Sequence, residues 1–141
     1  MGRNKYLRAR PLTLVEQAYF FRLAFPAFRV QNDRKELRCV GVLQPTPTSD
    51  RYTVEIGYKI RVRPRIQVLK PELRLSPGHA KLPHVFRGNY LCLHLPGQWR
   101  EDMLISRFIM PWISLWLIFY EVWVVTGEWF GEGYEPSAGA K

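Results

Sequence analysis

Cysteine is scarce in this chain: its 141 residues include only Cys39 and Cys92. Two are too few for the disulfide framework of a small secreted domain. Residues 1–10 are basic and polar with no apolar core behind them, so no secretory leader is expected. The expected setting is a reducing cytoplasm, where a thiol stays free. Long hydrophobic runs are lacking as well. Within the apolar block from Met103 to Val125 the longest uncharged run is Phe108 to Tyr120, 13 residues. A spanning helix needs about 20. The block therefore reads as a buried core helix, with attachment to a membrane surface as the lesser alternative. Neither a phosphate-binding Gly-rich loop nor a Ser-His-Asp signature is visible, and there is no internal repeat.

What is present points to one folded domain. The apolar share is 47% and the aromatic share 14%, which excludes a disordered chain. Residues 1–11 form a basic arm, 12–130 the domain, and 131–141 a Gly-rich, flexible tail. Acidic residues are the scarcer charge, 12 against 21 basic, leaving +9. Such a surplus suits an acidic partner: nucleic acid, anionic lipid or an acidic protein surface.

Along the chain, Thr13 and Glu16 fit a capping box that opens a helix ending before Pro26. Leu14, Ala18, Phe21 and Phe25 share its core face, with Gln17 and Arg22 facing elsewhere. Glu36 to Gln44 alternates as a first strand, which puts Cys39 in the core. Tyr52, Val54, Ile56, Tyr58, Ile60 and Val62 occupy every second position and predict one long strand. Its wet face carries Lys59, Arg61 and Arg63, with Arg65 beyond Pro64. This is a solvated face or a docking surface for an acidic partner. Nucleic acid fits it poorly, because the aromatics lie on the opposite side. Ile66 and Val68 continue into another strand, and residues 71–91 are mostly irregular, with room for a short strand at 72–75. Glu101 and Asp102 should open a helix that Pro111 splits in two, the second part running about 112–126 and closed by Gly127.

One polar, Gly- and Pro-punctuated segment, residues 83–99, holds Cys92, His84, His94 and Asn89. A cysteine between sheet and helix is either a small buried apolar residue or a nucleophile. As a nucleophile it would hold an acyl group as a thioester, given activation toward thiolate and a donor for the oxyanion. His94, two residues on, shares a side with Cys92 in extended backbone. His84 and Asn89 could approach from the loop, or simply bond within it. A zinc site from Cys92, His94 and His84 matches no structural zinc spacing. No cofactor is implied. The expectation is an accessible Cys92 and a buried Cys39.

The order helix, strand, turn, strand, turn, strand, Pro-rich loop, cysteine, tryptophan, helix resembles the ubiquitin-conjugating (UBC) fold. The matching pieces are Pro83-His84, Gly88, Cys92-Leu93 and Trp99, with a helix beginning near Asp102. The resemblance implies an α+β UBC-like domain: an N-terminal helix, an antiparallel meander of three to four strands, a cysteine-bearing active-site loop and C-terminal helices. The family's His-Pro-Asn motif is altered, since Val85 and Phe86 follow His84. The missing asparagine is lost, or replaced by Asn89 or His94. The run from Gly41 to Tyr52, the Cys92-Leu93-His94 triplet and the Trp-rich helical end are similar to stand-alone bacterial conjugating-enzyme-like proteins. Some of these accompany a cGAS-like nucleotidyltransferase in CBASS antiphage defence. That likeness implies a cysteine transferase in which Cys92, supported by His94, carries a partner's C-terminus. The partner would be the nucleotidyltransferase or a ubiquitin-like protein, with or without a separate activating enzyme. The alternatives are a silent UBC-like binding module and a basic nucleic-acid- or membrane-surface protein.

Overall fold

The computed structural model describes residues 10–131 and 136. Most of the expected arm and tail lies outside them. At the N-terminal end, the Thr13 hydroxyl accepts the Glu16 N–H and the Glu16 carboxylate accepts the Thr13 N–H, closing the capping box. Helix α1 then runs over Leu14–Ala24 and buries Leu14, Ala18 and Phe21. Gln17 departs from expectation. It is buried, with Nε2 donating to the Met103 carbonyl at 2.8 Å and Oε1 accepting the Ile105 N–H at 3.0 Å. The reason lies 88 residues away: the C-terminal helical block starts without a side-chain cap of its own. Its first amide would be orphaned if Gln17 did not reach across.

Four strands pair antiparallel in chain order: β1 (Arg29–Asn32), β2 (Leu37–Leu43), β3 (Tyr52–Tyr58) and β4 (Arg65–Lys70). The sequence reading missed β1, whose four residues include one apolar side chain, Val30. Its turn into β2 is tightened by Asp33, whose carboxylate accepts the N–H groups of Lys35 and Glu36. Cys39 lies fully buried in β2, opposite Ile56 of β3. Gly41 is needed there, since a Cβ would sit 2.4 Å from the Phe28 ring.

β3 buries Tyr52, Val54, Ile56 and Tyr58 in strict alternation. It stops at Tyr58, short of the expected Val62. The Val62 N–H closes a turn on the Lys59 carbonyl, and Arg61 takes a left-handed φ of 71°. The Glu101 carboxylate captures the Arg61 N–H at 2.8 Å, and Ile60 and Val62 stand exposed. The long basic strand face therefore does not form. No strand forms at 72–75 either; the irregular region instead contains a small hairpin, β5 (Val85–Phe86) with β6 (Tyr90–Leu91).

Glu101 and Asp102 precede the last helical block without opening it. A π turn at Ile105–Ile109 passes directly into α2, Met110–Thr126. The block changes character beside Pro111, as expected, into a short piece and a longer one, but the short piece is the π turn and the two run on without a break. The Met110 N–H reaches back five residues to the Ile105 carbonyl, so the wider turn absorbs the missing proline donor. Gly127, at φ 77°, ends α2 as expected. The block spans 22 residues, and its most apolar 18-residue window has mean hydropathy 1.7; it is long and apolar enough to cross a membrane by length and composition. Its Ile109, Ile113, Leu117, Tyr120 and Trp123 join the sheet's buried side chains in one core. Glu121 ties the same helix to the sheet, accepting from Tyr52 Oη at 2.8 Å and Ser49 Oγ at 2.9 Å. The whole is the α+β, UBC-like architecture expected: helix, antiparallel four-stranded sheet, cysteine loop, helix.

Candidate active site

The β5–β6 hairpin carries the cysteine. Its turn uses Gly88 at φ 84° and Asn89 at φ 59°, both left-handed conformations that suit these two residue types. At the open end, His84 holds φ 50°, unusual for histidine. Its carbonyl accepts two bonds, from the Cys92 amide and from Trp116 Nε1, both 3.0 Å. The backbone at Cys92 is thereby pinned through one oxygen to α2.

Cys92 is 6% exposed, against the expectation of an accessible thiol. It lies just past β6, and α2 and Trp129 wall the space around it. Yet it lines a cavity of about 370 Å³, which Cys39 does not. His84 and His94 line the same cavity. The His84 ring packs on Trp129, centroids 4.8 Å apart, and the His94 ring on Trp112 at 5.3 Å. The remaining wall is mostly apolar, including Leu95, Leu115, Trp116 and Phe119, with the amide of Gln98 as a further polar group. The tryptophans of α2 read from sequence as pure core. Trp112 and Trp116 in fact face both ways, and only the turn after β6 reveals it.

His94 Nδ1 lies 2.8 Å from the Leu95 carbonyl, so it carries the proton and donates. In the neutral ring Nε2 is then the acceptor. The Cys92 thiol donates to the His94 backbone carbonyl at 3.8 Å. Asn89 is not brought to this cavity. It lies at the hairpin tip, over a separate depression lined by Gln67, Glu72 and Leu73. Burial pushes the Cys39 thiol up to about 12, leaving it a poor nucleophile near neutrality. Among the described residues no three His, Cys, Asp or Glu side chains come together as a metal site.

The arrangement offers a thiol and two histidines on the wall of one largely apolar cavity. A comparison with protein families matches residues 17–136 to the family described as Type II CBASS E2 protein. No curated protein gives a significant match.

Proposed function

This chain belongs to the Type II CBASS E2 protein family, and from that footing we propose that it serves antiphage defence by carrying a partner's C-terminal acyl group on Cys92. The carrying observation is the shared cavity of Cys92, His84 and His94. The Cys92 sulfur attacks the carbonyl carbon of an acyl thioester held by an activating enzyme. A new C–S bond forms, the donor's C–S bond breaks, and the departing sulfur takes up a proton. An acceptor amine then attacks the Cys92 thioester: the C–N bond of an amide forms, the C–S bond breaks, and the proton lost by the amine passes to the departing Cys92 sulfur. His94, through Nε2, receives the thiol proton in the first step. The acyl donor is a cGAS-like nucleotidyltransferase or a ubiquitin-like protein, and the setting is cytoplasmic. The apolar side chains of Leu95, Trp112 and Phe119 cover part of the cavity in which the thioester would lie.

A silent binding module is the second reading. It is favoured by the low exposure of Cys92 and by the donation of its thiol to the His94 carbonyl. A non-reducing gel of the protein with candidate donor, activating enzyme and ATP separates the two. A thiol-labile band is expected, absent in Cys92→Ala and replaced in Cys92→Ser by a stable oxyester or nothing. His94→Ala should slow its formation by about 10²-fold or more, the usual effect of losing one catalytic group. No band with any donor, together with full biological activity of Cys92→Ala, leaves only the binding module.

A further inference from the structure

The arginines of the failed strand face meet again elsewhere. With the chain turning at Lys59–Val62, Arg63 and Arg65 reach the outer side of the β5–β6 hairpin. Arg63 lies over the Phe86 ring at 3.8 Å and Arg65 over the Tyr90 ring at 4.1 Å. Phe86 and Tyr90 are directly paired across the hairpin, so the two stacked guanidiniums are neighbours. Arg87, exposed at the hairpin turn, joins Val62 and these four around a cavity of about 430 Å³.

Stacking uses the flat face of a guanidinium and leaves its N–H donors radiating from the edge. A stacked arginine is thus fixed in orientation before any ligand arrives, and its fork matches a carboxylate in bidentate fashion. We propose that this cavity is a docking site for an acidic peptide segment of a protein partner, with Arg65 and Arg87 taking its carboxylates. Charge complementarity favours that occupant: Arg65 and Arg87 line the cavity and, among the described residues, no acidic side chain does. An extended peptide can lie along the hairpin, whose outer ring pair ends two residues before Cys92. Single-stranded nucleic acid is disfavoured because a guanidinium already covers one face of each ring a base would stack on. The assignment stands apart from the thiol chemistry.

The test is fluorescence anisotropy of a labelled oligoglutamate peptide with the full chain, alongside a labelled oligothymidylate of equal charge. The peptide should bind with an affinity that falls with salt. Arg65→Gln and Arg87→Gln should each weaken it about tenfold, the loss expected for one charge-assisted contact. Arg65→Lys should restore only part, since a lysine keeps the charge without the fork. The remote pair Arg29→Gln/Arg34→Gln, equal in net charge change to Arg65→Gln/Arg87→Gln, should leave binding unchanged. Cys92→Ala should also bind normally, so a failed carrier mechanism and a failed docking site give different results. Exposed Arg87 carries the test if the Arg65 variants lower the melting temperature. Equal losses in the remote pair would reduce the site to general charge attraction. Tighter oligothymidylate binding, lost on the same substitutions, would make it a nucleic-acid surface. Either result overturns the proposal.

Discussion

The His84 carbonyl and the Trp116 indole meet at 3.0 Å, and the Cys92 amide shares that oxygen. One acceptor thereby holds the cysteine segment to the long C-terminal helix, from a residue in left-handed backbone. Trp116→Phe removes the donor and keeps most of the apolar bulk. The loss should be about 1–2 kcal/mol of stability, the net value of one partly buried bond with some lost packing. It should also loosen the hairpin's open end, so Cys92 should be alkylated faster than in the native protein. Unchanged alkylation with unchanged melting would show that Cys92 is held by other contacts.

The two thiols should differ in reactivity although both are buried. Cys39 has no exposed surface, and its burial raises its pKa to about 12, so at pH 8 almost none is thiolate. Cys92 lines an open cavity. Brief maleimide treatment of the native protein, read by mass spectrometry, should modify Cys92 first and Cys39 only on unfolding. Earlier modification of Cys39 would contradict the placement of both.

Much of this architecture could be read from residue patterns. The capping box at Thr13 and Glu16, the alternation from Tyr52 to Tyr58 and the glycine stop at Gly127 are local signals, and each appears where its pattern lies. The errors arose where a distant group overrode a local one. Ile60 and Val62 continue the strand period, but the Glu101 carboxylate bonds the Arg61 amide 40 residues away and turns the chain. The two-residue spacing of Cys92 and His94 is legible in the sequence. The tryptophan wall around them depends on how α2 crosses the hairpin, which no local pattern encodes. Asn89, a plausible partner in sequence, is held away by the hairpin turn it forms.

Gln17 illustrates the same dependence and can be tested directly. Its amide satisfies the Met103 carbonyl and the Ile105 N–H at the entry to the last helical block. Gln17→Leu keeps a similar volume but leaves both backbone groups buried and unpaired. Two such losses should destabilise the protein by about 2–5 kcal/mol in chemical denaturation. A variant as stable as the native chain would mean that water replaces Gln17 at both groups.

The N-terminal cap should make stability depend on acid. Arg10 holds Glu16 in a two-pronged pair, at 2.7 and 2.6 Å, and Thr13 donates its backbone N–H to the same carboxylate. Together these lower the Glu16 pKa from 4.5 to about 2, the Arg10 bond contributing most. A carboxyl whose folded pKa is depressed stabilises the fold only while ionised. Its contribution is therefore complete above about pH 4.5 and disappears as pH falls through about 2. Glu16→Gln keeps an oxygen for the Thr13 N–H but loses the charge. Its melting temperature should lie below the native value at pH 7, and the gap should close between pH 4.5 and 2. The pair is exposed, so the gap should be small and should narrow in high salt. A gap that persists unchanged at pH 2 would place the effect in the helix cap's shape, with the Arg10–Glu16 charge pair contributing nothing.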